Sequence, residues 1–284
     1  MPNIQQAMVL QDHGFKSFAV IGFPIQHSLS PTIHQAFAKQ FQTSIRYEVL
    51  SIEPAAFEKT LSQLKNFGGL NISLPYKIPM YHWVSKLTAR AKFSKSVNSV
   101  TFFADGTTLG DNTDGAGLIS DLQHRVRLHL SGANVLILGA GGAARGITAG
   151  LLDAGVAQIR ILNRTSEHVL QLCQQFNQPN ILAFDPYSDH QFDLIIHATS
   201  AGVLNAPLAL DLKFLENFKG CFYDINYGEG AAKLKSCLPR HLNYVDGLGM
   251  LVEQAALSYQ SWHSVMPNTA IVIKALAKSF NSRY

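Results

Sequence analysis

Three short runs in the first half of the chain bring together polar groups suited to holding and protonating a small polar molecule. In Pro24-Ile25-Gln26-His27-Ser28-Leu29-Ser30-Pro31, two hydroxyls stand two residues apart at a helix start. Ser30 is a good N-cap and Pro31 a good first helical residue, so capping alone accounts for Ser30. Ser28 is not needed for that, and two hydroxyls beside a helix N-terminus form a site for a carboxylate. In Asn71-Ile72-Ser73-Leu74-Pro75-Tyr76-Lys77, a strand would turn Asn71 and Ser73 to one face, with the Lys77 amine just beyond. Ligands of open α/β sheets bind at that strand end. An ammonium there can stabilise charge developing on a carbonyl oxygen and donate the proton it needs. Taken alone, the run also reads as a surface lysine after a proline turn. The third run, Gly110-Asp111-Asn112-Thr113-Asp114-Gly115, is a polar loop that reads equally well as a linker between domains.

The second half carries Gly139-Ala140-Gly141-Gly142-Ala143-Ala144, which fits G-x-G-x-x-A and follows the apolar run Val135-Leu136-Ile137-Leu138. Gly139 permits a tight turn, Gly141 lets backbone approach a pyrophosphate, and Ala144 allows close packing of helix on strand. The helix N-terminus then offers N–H groups and the positive end of its dipole. This is a dinucleotide site. NAD sites usually carry an acid roughly 20 residues further on, for the ribose 2′-hydroxyl. Here Asn163-Arg164-Thr165 stands in that place, with no acid. Arg164 suits a 2′-phosphate, and one charge-assisted hydrogen bond would favour NADP by roughly 10- to 150-fold. The alternative is an exposed arginine at a strand end.

These groups need a scaffold, and the apolar pattern supplies one. Strands are expected at Phe18–Gly22, Arg46–Leu50, Gly69–Leu74 and Val97–Phe103, the last turned by Asp105-Gly106. Helices are expected at Pro31–Phe41 and Pro54–Lys65. After Ser131-Gly132 the pattern restarts: strand Asn134–Leu138, helix Ala143–Ala154, strand Gln158–Leu162, helix Glu167–Phe176, then buried strands Phe192–His197 and Cys221–Ile225. Helices Met250–His263 and Thr269–Phe280 follow and are long enough to return to the first domain. The fold class is therefore α/β with parallel strands and two domains. One is an N-terminal open α/β domain, 1–114 with 250–284, for the substrate; the other is a Rossmann-type NADP-binding domain, 115–249.

Composition sets the outer limits. Of 284 residues, 47% are hydrophobic and 15% charged, as in ordinary globular proteins. A net charge of +4, with scattered Lys and Arg, is too small to argue for nucleic acid, though it suits an anionic small molecule. Cys173, Cys221 and Cys237 show neither pairing nor metal spacing. That argues for a reducing, cytoplasmic setting and for no metal. No apolar run approaches about 18 residues, so no membrane span is expected. No signal peptide is expected either, and residues 1–17 read as an extension, with Met8 an alternative start. Monomer and homodimer both stay open.

The three polar runs, in their order and spacing, resemble the H-S-x-S-P, N-x-(T/S)-x-P-x-K and D-N-T-D-G signatures of the shikimate dehydrogenase family. Further matches are Val97-Asn98, the glycine turn, Asn163-Arg164-Thr165, Ala198-Thr199-Ser200-Ala201-Gly202, and the run from Asp246 to Gln254. The resemblance extends from about Phe18 to the C-terminus. It implies that Ser28 and Ser30 bind a carboxylate and that Asn71, Ser73, Asn98, Asp114, Tyr227 and Gln254 hold ring hydroxyls. Lys77 and Asp114 would form the catalytic pair. On the cofactor side it implies Gly139, Ala140, Gly141, Gly142, Ala143, Asn163, Arg164, Thr165, His168, Thr199 and Gly247. The implied reaction is reversible reduction of 3-dehydroshikimate by NADPH, in aromatic amino-acid biosynthesis.

The chain departs from the family pattern in four places. Ser73 stands for the usual Thr, a lost methyl worth about 0.8 kcal/mol if buried. Gly228 to Lys233 diverges from a proline- and threonine-containing stretch. His197 stands where many relatives carry Asn. His168 lies near the place of a second basic residue, and reads either as a partner of the 2′-phosphate or as an exposed helix position. The rival activity is a quinate or dual quinate/shikimate dehydrogenase. A non-catalytic NADP-binding regulator should have lost Lys77 and Asp114, and both are present.

Overall fold

A computed structural model describes residues 17–187, 191–199, 208 and 210–279. The N-terminal extension up to residue 16, and Ser200 to Gly202, lie outside the described residues. The chain divides into two compact units, Met1–Thr113 with Gln254–Ala275 and Asp114–Glu253 with Leu276–Tyr284.

The first unit is built on β1 (Ser17–Gly22), α1 (Ser30–Gln40), β2 (Arg46–Ser51), α2 (Phe57–Thr60), β3 (Gly69–Ile72), α3 (Lys77–Trp83), β4 (Lys86–Leu87), α4 (Ala89–Ser94), β5 (Ser99–Phe102) and β6 (Thr108–Asp111). The strands order as β2-β1-β3-β5-β6-β4. Every residue of β1 is buried, as an apolar run covered on both faces should be. The sheet is mixed rather than all parallel, because β5 runs antiparallel to β3 and β6. The Asp105-Gly106 turn, with Gly106 at φ +81°, folds β6 back on β5, and so short a turn can join only antiparallel strands. Three expected elements are shorter, among them the strand expected at Val97–Phe103, which covers only Ser99–Phe102. The third strand ends at Ile72, before the cis Leu74–Pro75 peptide. The helix expected over Pro54–Lys65 is broken into α2 between single turns of 3₁₀ helix, Pro54–Ala56 and Gln63–Asn66.

The second unit begins with α5 (Asp114–His124), which the sequence pattern did not reveal. It continues through β7 (Asn134–Leu138), α6 (Gly142–Asp153), β8 (Gln158–Leu162), α7 (Ser166–Phe176), β9 (Ile181–Ala183), β10 (Leu194–His197), β11 (Cys221–Asp224), α8 (Gly228–Cys237) and β12 (Asn243–Asp246). The last helices are α9 (Leu248–His263) and α10 (Thr269–Ser279). Its sheet orders β12-β11-β10-β7-β8-β9, all parallel, which is the doubly wound nucleotide-binding arrangement. Ile137, Ile159, Ile196 and Leu194 of the sheet pack with Ile147 and Leu151 of α6 in one apolar core. None of the described helices is long and apolar enough to cross a membrane.

Candidate active site

The strand order of each sheet reverses between two inner strands, and in the first sheet it turns again at the edge, where β4 lies beside β6. In the first sheet β1 leads to β2 on one side and β3 lies on the other, so the reversal falls between β1 and β3. The loops leaving these two strands lie at the carboxyl ends, where ligands of such sheets bind. They carry Ser28 and Ser30 after β1, and Ser73 and Lys77 after β3. The two loops are tied together: Phe23 N–H donates to Leu74 O at 2.8 Å, and Ser73 N–H to Ile21 O at 2.8 Å.

Ser30 does not cap α1. It is already a helical residue, the cap position is Leu29, and no side chain accepts a capping bond there. Its hydroxyl instead joins a chain of side chains. Ser28 Oγ donates to Ser30 Oγ at 3.1 Å and accepts from Ser30 N–H at 3.2 Å. Ser30 bonds Tyr47, and Tyr47 donates to Asn71 Oδ1 at 2.7 Å. His34 Nε2 lies 3.0 Å from the same oxygen, and Asn71 Nδ2 donates to Ser258 Oγ at 2.9 Å. With both lone pairs of Oδ1 used and one amide hydrogen spent, Asn71 keeps one N–H for a ligand.

Asn71 accepts at Oδ1, so His34 carries its hydrogen on Nε2. Its Nδ1 is then a buried acceptor without a partner. The ring is fully buried between Tyr47 and Trp262, with centroids at 4.5 and 5.1 Å. Burial, and to a lesser extent nearby His263, lowers its pKa to about 3 against the opposing bond to Asn71. In the unfolded chain an ordinary histidine takes up a proton at about pH 6.5. The unfolded state therefore binds protons first: stability is full above that pH and is lost as pH falls toward about 3. The expected slope is up to about 1.4 kcal/mol per pH unit. His34→Gln keeps an N–H donor and does not titrate. Urea midpoints from pH 7.5 down to 4.5 should show wild type losing stability faster than this variant; parallel curves would contradict it.

The third motif contains the boundary between the two units, and its residues up to Thr113 are held by hydrogen bonds within the first unit. Asp111 ends β6, held by Thr88 and by a two-pronged bond from Arg90. Asn112 donates to Ser96 Oγ at 2.6 Å. Thr113 is fully buried and its N–H donates to Asn98 Oδ1 at 2.8 Å, while Asn98 Nδ2 donates to Gln254 Oε1 at 3.2 Å. Asn98, Gln254 and this loop thus form one cluster in the first unit. Lys77, half-buried, is the first residue of α3, and its carbonyl accepts from Val97 N–H at 2.8 Å, next to Asn98. Asp114, buried, is the first residue of α5 and opens the second unit. Tyr227 occupies the cap position of α8.

In the second sheet the reversal falls between β7 and β10. The loop after β7 is the glycine turn. Gly139 has φ +122°, and a Cβ there would meet Ala198 O at 2.8 Å. Gly141 sits at the cap of α6 with no side-chain capping bond, and a Cβ on it would meet nothing within 4 Å. A tight turn followed by an open glycine at a helix start fits a dinucleotide pyrophosphate. Ala140 is buried and Ala143 half-buried beside Gly142, the first residue of α6. At the end of β8, Asn163 Nδ2 donates to Thr165 O at 3.0 Å and shapes the bend before α7. Arg164 and His168 are exposed there. Gly247 is buried, its N–H donating to Asn226 O at 2.9 Å, and a Cβ would strike Ile225 O. Thr199 stands just beyond β10, against Gly139.

Tyr47, His34, Ser258 and Thr113 support the candidate site and escaped sequence reasoning. A polar His34 between Ile33 and Phe37 on the buried face of α1 was the available signal.

Family models match three segments: the shikimate dehydrogenase substrate binding domain over residues 20–100, shikimate / quinate 5-dehydrogenase over 121–205, and the shikimate 5′-dehydrogenase C-terminal domain over 247–277. The chain is 41% identical to the shikimate dehydrogenase (NADP(+)) of Nitrosomonas eutropha, over 92% of this chain and 96% of that one. It belongs to the shikimate dehydrogenase family. A second member of that name, from Legionella pneumophila, is 40% identical over 92% of this chain and 98% of its own. Among solved structures, the shikimate 5-dehydrogenase of Thermus thermophilus in complex with NADP(H) and shikimate aligns with a TM-score of 0.79 at 26% identity, covering 93% of this chain and all of that one. In this shikimate dehydrogenase family member, the H-S-x-S-P and N-x-(T/S)-x-P-x-K runs lie beside the inner reversal of the first sheet, the D-N-T-D-G run follows β6, and the glycine turn lies beside the reversal of the second sheet.

Proposed function

We propose that this protein is an NADP-dependent shikimate dehydrogenase that interconverts 3-dehydroshikimate and shikimate in the cytoplasm. The observation that carries the reading is the coincidence of two independent features. The sheet reversal of the first unit gathers Ser28, Ser30, Asn71, Ser73 and Lys77. That of the second carries an open glycine turn whose next strand ends in Arg164 rather than an acid. Curated relatives of the same name at about 40% identity support it.

In this reading 1–114 with 250–284 is the substrate-binding catalytic domain and 115–249 the NADP-binding domain. The paired serines take the substrate carboxylate. Asn71 offers its remaining amide hydrogen to a ring hydroxyl, with Ser73, Asn98, Asp114, Tyr227 and Gln254 holding the others. Bound NADPH supplies the hydride. Lys77 stabilises the charge that develops on the carbonyl oxygen, and the Lys77–Asp114 pair delivers the proton to it. Gly139 to Ala143 receive the pyrophosphate; Asn163, Arg164, Thr165 and His168 surround the 2′-phosphate; Thr199 and Gly247 line the nicotinamide end.

Four parallel assays test this: oxidation of shikimate and of quinate, each with NADP and with NAD. Shikimate with NADP should be fastest by a wide margin. Arg164→Ala should cut the preference for NADP over NAD by roughly 10- to 150-fold. Faster turnover of quinate would replace this reading with its rival, and an unchanged cofactor preference in the variant would remove Arg164 from the 2′-phosphate site.

A further inference from the structure

A buried polar chain lies at the carboxyl ends of β10 and β11, beside the reversal of the second sheet. His197 ends β10, Asp224 ends β11, and the two stand opposite each other in register, both fully buried. His197 Nδ1 lies 2.9 Å from Asp224 Oδ1, and Nε2 lies 2.6 Å from Thr199 Oγ1. Asp224 Oδ1 also accepts from Asn226 N–H at 3.0 Å and from Asn226 Nδ2 at 2.7 Å. Its Oδ2 accepts from the Tyr244 hydroxyl at 2.9 Å. A carboxylate surrounded by these donors acts as an acceptor, so the hydrogen on Nδ1 belongs to His197. In the neutral ring Nε2 then accepts, and the Thr199 hydroxyl donates to it. Asn226 Nδ2 holds the main chain of the same residue through Thr199 O at 3.1 Å.

The chain ends at the glycine turn. A Cβ on Gly139 would lie 2.9 Å from Thr199 Cγ2, so Thr199 forms one wall of that turn. Burying a carboxylate and an imidazole costs free energy that apolar residues in a parallel sheet would not. A fully satisfied network does, however, hold one conformation of the group at its end.

We propose that His197 is a positioning residue for the dinucleotide. Anchored by Asp224, it turns the Thr199 hydroxyl hydrogen inward and presents Thr199 Oγ1 as an acceptor to an O–H or N–H donor on the nicotinamide riboside half. The inference rests on the reading of the second unit as an NADP site and deepens it.

The test is equilibrium binding of NADPH and of adenosine 2′,5′-bisphosphate, which lacks the nicotinamide half, to the full-length protein. His197→Asn and Thr199→Val are each expected to weaken NADPH by about 2- to 10-fold and leave the bisphosphate unchanged. Combined, they should cost little more than either alone, since both remove one interaction. Thr199→Ser should keep wild-type affinity. The oxidised 3-acetylpyridine analogue of NADP, measured beside NADP, has no carboxamide N–H. If it loses the dependence on His197 the donor is the carboxamide; if it keeps it, a ribose hydroxyl. Nitrogen NMR of labelled histidine in the NADPH complex should show His197 protonated on Nδ1, a signature that a merely space-filling ring would not give. Additive losses, equal losses for both ligands, or protonation on Nε2 would overturn the inference. Failure of the wild type to bind NADPH would instead overturn the reading of the site itself.

Discussion

Lys77→Ala is expected to lower kcat for shikimate oxidation by about 10²- to 10⁴-fold, while KM rises less than about tenfold. Lys77 is the first residue of α3, half-buried at the reversal of the first sheet, beyond Asn71 and Ser73. Alanine suits a helix, and the bond that fixes this backbone runs from Val97 N–H to the Lys77 carbonyl, which the variant keeps. The loss should therefore fall on chemistry and not on folding. An ammonium that meets the oxygen only as charge builds contributes to the transition state and little to ground-state binding, hence the split between kcat and KM. Steady-state kinetics with a thermal melt decide the matter. Near-normal kcat with a raised KM would make Lys77 a binding residue.

The second large effect is expected from the glycine turn, where two neighbouring substitutions should behave differently. Gly139→Ala places a methyl on a residue at φ +122°, 2.8 Å from Ala198 O and 2.9 Å from Thr199 Cγ2. The conformation alone costs about 1–3 kcal/mol for a residue with a side chain, and the nearest contact is with backbone, the Ala198 carbonyl. This variant should lose both thermal stability and NADPH affinity. Gly141 has φ −85° and ψ −167°, which alanine adopts freely, and its Cβ would enter open space. Gly141→Ala should therefore melt like wild type and still lose at least about tenfold in NADPH affinity, because the methyl occupies the room left for the pyrophosphate. Calorimetric melts and NADPH titration of both variants make the comparison. Normal NADPH binding by Gly141→Ala would remove the dinucleotide from that turn.

Local pattern was enough to place most elements of the second unit. Val135-Leu136-Ile137-Leu138 followed by glycines is a buried strand and a tight turn wherever it occurs, since periodicity and glycine torsions are properties of neighbouring residues. The missing acid at the end of β8 was equally local. The helix α5 was hidden because Asp114-Gly115-Ala116-Gly117 has poor helix propensity. It forms against α6, where Gly115 meets Gly146 O and Gly150 too closely for any side chain, an approach that depends on a residue far along the chain. In the mixed first sheet the Asp105-Gly106 turn marked the β5–β6 hairpin locally, while the antiparallel pairing of β5 with β3 depends on residues far apart in the chain.

The site divides along the same line. Residue types in their spacing named Ser28, Ser30, Asn71 and Lys77, because a chemical role restricts the choice of residue at one position, and the family resemblance added Asp114. Their support came from afar. Asn71 is held by Tyr47, His34 and Ser258, at separations of 24, 37 and 187 residues. His197 stood out in the sequence as a departure without a purpose, and the register of β10 on β11 gives it Asp224 on one side and Thr199 on the other. Hydrogen bonds between distant residues follow from strand order and register, which long-range packing decides and no short window of sequence contains.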